Sequence, residues 1–269
     1  MCAWFFALLF VPAQDFSITK GQSFVIDTKQ VLTTEAVLPA MLDVPVKYNR
    51  MAGNSILADI LNRTDWPSLG NGRSTDGHES THRLNAQLRN ENGGAAAVAL
   101  YVLNGKALYC KEPAFRKSAV AVFIPASLRD SKFRLYVTGS DGWDDKPSYI
   151  AEEWSAYIND LLINIEDRAA GYRTDQSDCA TGALEMGICS IALCMAVEKY
   201  APESWAENAS FKASMKYQWK RAKEAYDKGA PLWPNEKQNT LLHNLRNSPD
   251  AEAMRQFINT HFDGLWLKP

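Results

Sequence analysis

The chain has 269 residues, 46% of them hydrophobic and 22% charged, with 15 glycines and 12 prolines; this describes a folded protein with a substantial core and excludes a disordered chain. Lysine and arginine number 29 against 31 acidic residues, a net charge of −2. No overall positive field exists to gather nucleic acid or an anionic membrane, so neither is expected as a partner.

At the start, the apolar run Ala3–Val11 closes with Val11-Pro12-Ala13, a small-residue ending of the kind signal peptidase accepts. Residues 1–13 are therefore an expected export leader, although the usual Lys or Arg ahead of the run is missing. Residues 14–269 are then expected as a single catalytic-type domain, secreted, periplasmic or in the cell envelope. The run is shorter than the roughly 20 residues of a bilayer span, and no other segment reads as apolar enough to cross a membrane. Losing the leader removes Cys2 and leaves Cys110, Cys179, Cys189 and Cys194. An even set permits disulfides, but Cys189 and Cys194 fall in a helix, Leu184–Lys199, where buried thiols are expected.

Further along, Ser23–Val31 reads as a strand and Ser55–Leu61 as an amphipathic helix. A loop rich in Gly, Ser, Thr and Asn covers 62–75, after which Asp76 is the expected N-cap of a helix reaching about Asn92, stopped by Gly93-Gly94. Ala97–Leu103 and Lys106–Lys111 read as a hairpin turned by Asn104-Gly105, a dipeptide suited to a type I′ turn. Two more strands are expected at Ala119–Ile124 and Phe133–Val137. The loop 139–147 carries Asp141, Asp144 and Asp145 without the spacing of a calcium loop, and reads as a solvated turn. A second amphipathic helix spans Tyr149–Asp167. From about Asp175 to Phe262, proline-punctuated segments predict three or four helices, forming a helical C-terminal subdomain over 175–269; the basic run Lys212–Lys223 within it reads as an amphipathic surface helix. The expected class is α+β, predominantly helical, with one small antiparallel sheet. No Gly-x-Gly-x-x-Gly, phosphate loop or Gly-x-Ser-x-Gly turn occurs, which disfavours nucleotide enzymes and serine hydrolases.

The chemistry concentrates in His78-Glu79-Ser80-Thr81-His82. Histidines at i and i+4 project from one helix face and can share an ion, for which imidazole suits zinc, while a glutamate directly after the first histidine can reach a metal-activated water as general base. Stricter versions of this motif want uncharged residues where Asp76 and Arg83 stand. A catalytic site of this kind takes three protein ligands and keeps one position open. The extended third-histidine form is absent, since Asn85 replaces its glycine and Leu88-Arg89 bring no histidine. The second helix offers Glu152 and Glu153, each with a small residue three positions on (Ser155, Ala156) that would let two helices approach closely. Glu153 is the preferred third ligand and Glu152 the alternative.

His78-Glu79-x-x-His82 followed by Glu153-Trp154-Ser155-Ala156-Tyr157 resembles the glutamate-zincin arrangement of metallopeptidases. It is also similar to an uncharacterised bacterial family in which a Gly-His-Glu-x-Thr-His helix, a Tyr-Val-Leu-Asn-Gly hairpin and a Glu-Trp-x-Ala-Tyr helix occur in this order. The resemblance covers Asp76–Asp160, under a third of the chain. It implies a zincin-like core, Zn2+ held by His78, His82 and Glu153, Glu79 as the catalytic base, and a peptide or protein substrate. In some glutamate zincins a tyrosine shortly before the ligand glutamate donates to the oxyanion; Tyr149 would take that role, with Tyr157 the alternative. The hairpin Ala97–Lys111 would supply an edge for an extended substrate. Two competing readings are a non-catalytic zincin-like protein that binds a wall polymer or another protein, and a metal-free helical interaction protein.

Overall fold

Helix α1 (Ile56–Leu61) begins where Ser55 accepts the Ala58 N–H at 3.1 Å, satisfying one of the donors a helix start leaves open. The computed structural model describes residues 38–172, 179–207 and 209–268; the expected leader at 1–13 and strand at Ser23–Val31 lie outside the described residues. Helix α2 (Arg73–Asn92) starts earlier than Asp76, with Gly72 at its N-cap. The Asp76 carboxylate sits inside the first turn and accepts the N–H groups of Gly70 at 3.0 Å and Asn71 at 2.9 Å, where the helix dipole also favours its charge. Arg73, paired with Asp167 at 2.8 Å, anchors the extra turn.

Strands β2 (Ala97–Tyr101) and β3 (Lys106–Lys111) form the expected hairpin. Lys106 N–H bonds Leu103 O at 3.1 Å across Asn104 (φ 55°) and Gly105 (φ 67°), both in the left-handed region that this turn requires. Strand β1 (Met41–Asp43) pairs with the other side of β3, giving the order β1-β3-β2, antiparallel throughout. The described chain is thus α+β and mostly helical.

The strands expected at Ala119–Ile124 and Phe133–Val137 are helical instead, a 3-10 segment over Lys117–Phe123 and a π-helical turn over Phe133–Val137. Lys117 explains the difference. Its buried ammonium donates to the carbonyls of Tyr136 at 2.8 Å, Val137 at 3.0 Å and Gly139 at 2.7 Å, gathering oxygens that a strand would spread along its two edges. Apolar side chains with strand propensity therefore yield to one buried cation.

Helix α3 (Tyr149–Ala169) is the axis of the molecule and is buried along most of its length. Helix α2 packs on one side of it, and α4 (Cys179–Tyr200) and α5 (Ser210–Gly229) on others. Helices α6 (Glu236–Asn247) and α7 (Glu252–His261) close over α4. One apolar cluster runs from Val44 to Trp266, so the C-terminal helices share a core with the sheet. Contrary to the sequence reading, α4 is long and apolar enough to cross a membrane, but nearly all of it is buried among its neighbours. Cys110, Cys189 and Cys194 are buried free thiols. The run Lys212–Lys223, read as a surface helix, lies in α5 with Lys212, Trp219 and Arg221 buried.

Gly77 sets the distance between α2 and α3: a Cβ there would lie 2.1 Å from Ile163 Cδ1. Gly77→Ala should cost about 1–2 kcal/mol in net stability, overpacking outweighing the gain in helix propensity. Gly77→Ala combined with Ile163→Val should recover part of the loss, as urea unfolding of the double-mutant cycle would show.

Glu112, after β3, accepts the Ser148 N–H at 2.9 Å and the Ser148 hydroxyl. Burial outweighs these bonds and pushes its pKa up to about 7 from 4.5. The folded chain therefore keeps a proton that the unfolded chain has released between those pH values, and stability falls as pH rises through that window, by up to about 3 kcal/mol. Glu112→Gln removes the titration, so its urea midpoint should change less between pH 4.5 and 7.5 than that of the parent.

Candidate metal centre

Along α2, His78, His82, Asn85 and Arg89 follow i, i+4, i+7, i+11 spacing and form one polar stripe. A polar stripe is held against α3 only if each group finds a partner. Asn85 Oδ1 accepts the Tyr101 N–H at 2.7 Å, while Ser155 Oγ at 3.0 Å and Asn159 Nδ2 at 3.3 Å donate to Tyr101 O. Asn159 Nδ2 also donates to Thr81 Oγ1 at 3.1 Å, and Arg221 donates to Asn159 Oδ1. The end of β2, the middle of α2 and the middle of α3 are thereby fixed in one register.

That register brings His78, His82 and Glu153 together, with one ligand-type atom from each within 4.8 Å of the others. His82 Nε2 lies 3.2 Å from His78 Nε2 and 3.4 Å from Glu153 Oε2, and His78 Nε2 lies 3.7 Å from the same oxygen. A tetrahedral ion with bonds of about 2.0–2.1 Å separates its ligands by about 3.4 Å, so the spacing fits a small divalent cation. Glu153 Oε2 is buried and lacks a hydrogen-bond partner among the described residues, an orphaned acceptor facing two imidazole nitrogens. The donor set of two nitrogens and one oxygen suits zinc and related transition metals.

Glu152 has a different place. Its Oε2 accepts from Arg89 at 2.8 Å and its Oε1 lies 3.4 Å from His82 Nδ1, on the side of the ring away from Glu153. The arrangement fixes the ring's orientation and leaves Nε2 directed at Glu153, as outer carboxylates do for metal-bound histidines. Burial disfavours the charged form of His82, but the neighbouring carboxylates of Glu152 and Glu153 outweigh it and push its pKa up to about 10. Burial acts against the charge of Glu153 as well, yet His78 and His82 hold it well below the usual carboxylate range. Glu79, the next residue on α2, is exposed.

Tyrosines wall one side. The His78 ring meets Tyr157 edge-on at 4.7 Å. Tyr157 Oη lies 3.0 Å from Tyr136 Oη and accepts from Lys132 Nζ at 2.6 Å. Tyr149 stacks on Trp143 at 5.0 Å, placing the 139–147 loop at the rim. Asp144 in that loop accepts the Ser118 N–H at 2.8 Å and pairs with Arg116, which accounts for one of the loop's acids without an ion. Burial first, then the charge of Glu153, raises Tyr149 and also raises Tyr136, the latter to about 12 with a further contribution from Glu79. Both hydroxyls stay protonated at neutral pH and face the same carboxylates.

Tyr136, Lys132 and Arg89 were not among the residues singled out from sequence. Arg89 continues the polar stripe of α2 and was legible there; Tyr136 lay in a segment read as a strand, so its direction could not be assigned. The hairpin offers no edge for a substrate at Tyr101, because Asn85, Ser155 and Asn159 occupy that residue's backbone groups and β2 is buried at every position.

Comparisons with protein-family models, curated proteins and solved structures return no match for this chain.

Removing Arg89 would leave Glu152 buried beside His82 alone. Arg89→Met should lower stability by about 3 kcal/mol, the cost of breaking a buried pair from one side, and adding Glu152→Gln should restore part of it; urea unfolding of the three variants checks both.

Proposed function

We propose that the chain is a zinc-dependent hydrolase, a peptidase in class, with a zincin-like core in which His78, His82 and Glu153 hold the ion and Glu79 is the general base. The observation that carries this reading is the convergence of His78 Nε2, His82 Nε2 and the otherwise unpartnered Glu153 Oε2. A zinc ion bound there would supply Lewis acidity, lowering the pKa of water towards neutral and polarising a scissile carbonyl.

The remaining work falls to side chains. Glu79 is exposed and follows His78 directly, so its carboxylate can take a proton from the attacking water and deliver it to the leaving nitrogen. Arg89 and Glu152 hold the His82 ring in place. Tyr149, with Tyr136 beside it, is a neutral donor facing the carboxylate of Glu153 and can stabilise charge that develops on a carbonyl oxygen. Buried helices behind the cluster exclude water from one side and keep its polar partners fixed.

Purified protein should contain about one zinc per chain. Glu79→Gln should retain the metal and lose cleavage of a quenched-fluorescent peptide library by about 10²–10⁴-fold, the usual range for a general base, whereas His82→Ala should lose both zinc and activity. Full activity in Glu79→Gln would reject the assigned base.

A further inference from the structure

Lys132 is fixed at both ends. Its backbone N–H donates to Glu185 Oε1 at 2.5 Å, a carboxylate buried on α4, and its Nζ donates to Tyr157 Oη at 2.6 Å while standing 4.5 Å from the centre of that ring. Gly182, about one turn before Glu185 on α4, leaves room for the tyrosine: a Cβ there would lie 2.8 Å from Tyr157 Cδ1. The contact is built into the fold rather than made by a loose surface side chain.

An ammonium donates and never accepts, which gives the neighbouring bonds a direction. Tyr157 Oη accepts from Lys132 and lies 3.0 Å from Tyr136 Oη. Were Tyr136 the donor of that second bond, Tyr157 Oη would accept twice and its own proton would be left over at a part-buried hydroxyl, which is costly. With Tyr157 as donor every proton has a place, and the Tyr136 proton turns to the Glu153 carboxylate that its hydroxyl faces. The bonds then run one way, from an ammonium through two hydroxyls to a carboxylate, and each polarises the next.

We propose that Lys132 is a positioning residue for Glu153: by donating to Tyr157 it directs the Tyr136 hydroxyl onto the Glu153 carboxylate and so holds Oε2, the oxygen without a hydrogen bond, toward His78 and His82. The proposal deepens the hydrolase reading and rests on it for the ion. It also reverses the sign expected of a cation near a cation site. By charge alone Lys132 opposes zinc, and removing it would tighten binding. As a positioning residue it favours zinc, and removing it weakens binding by about 10–100-fold, as loss of an outer partner of a metal ligand does.

The test measures zinc affinity of the full chain by competition with a fluorescent chelator. A second readout is the NMR resonance of the Glu153 carboxyl carbon in metal-free, glutamate-labelled protein, assigned with Glu153→Gln. Lys132→Met and Tyr136→Phe should each weaken zinc by at least about tenfold, and the double variant should fall within about twofold of Tyr136→Phe, because the lysine acts through that hydroxyl. Lys132→Arg, another donor without an acceptor, should stay within about threefold of the parent. Tyr157→Phe deletes the acceptor that competes for the Tyr136 proton, so it should cost less than about threefold, and Lys132→Met should add nothing in that background. The Glu153 resonance should move in Lys132→Met and Tyr136→Phe and stay in place in Tyr157→Phe. Lys132→Gln, which keeps a donor but offers the Tyr157 proton an acceptor, carries the same expectation should Lys132→Met fail to fold. Unchanged or tighter zinc in the Lys132 variants, additive losses, or a Glu153 resonance indifferent to Lys132 would overturn the proposal. The expected resonance pattern in a parent chain that takes up no zinc would keep the role of Lys132 at Glu153 and reject the metal reading.

Discussion

One imidazole held between two carboxylates organises this protein. His82 sits between Glu152, 3.4 Å from Nδ1, and Glu153, 3.4 Å from Nε2, and the two glutamates are adjacent on a buried helix. Burying two like charges is unfavourable unless each is compensated. Glu152 is compensated by Arg89. Glu153 faces the two imidazoles and the hydroxyls of Tyr136 and Tyr149, and its Oε2 is left without a hydrogen bond among the described residues. The close approach of α2 and α3 at Gly77 makes the meeting possible, and the charge left incompletely matched is the place where a cation is most stabilising.

The polar network around Tyr101 performs a different task. It joins the end of β2 to α2 through Asn85 and to α3 through Ser155 and Asn159, locking the two helices that carry His78, His82 and Glu153 at one height relative to each other. A slip of α2 by a single residue would turn His78 and His82 away from Glu153 by about 100° and would break the bond from Tyr101 N–H to Asn85. These buried polar groups fix register, and the apolar core from Val44 to Trp266 supplies bulk stability around them.

Much of the centre was legible in sequence because its signals are local. Histidines four apart on a helix can face only one way, and a Glu-Glu pair on a second amphipathic helix narrows the third ligand to adjacent residues. Glu153 was preferred over Glu152 from the sequence, and its approach to both imidazoles depends on the distance between helices at Gly77 and Ile163 rather than on the pair itself. The hairpin at Asn104-Gly105 and the helix Tyr149–Ala169 followed from turn chemistry and periodicity. What failed was governed by tertiary contacts: the buried ammonium of Lys117 turns two strand-like runs into helical turns, and Arg73 with Asp167 winds α2 back past Asp76. Tyr136 and Lys132 lie in or beside one of those misassigned runs, so the wall they form was hidden.

The central claim is that two imidazole nitrogens and one carboxylate oxygen close on a single divalent ion. X-ray absorption at the zinc edge of the reconstituted protein tests it directly. The account predicts a first shell of nitrogen and oxygen only, at about 2.0–2.2 Å, with imidazole outer-shell scattering from two rings; Glu153→Ala should remove one oxygen ligand from that shell. Sulfur scattering near 2.3 Å, or zinc that exchanges away on desalting and leaves no ordered shell, would contradict it.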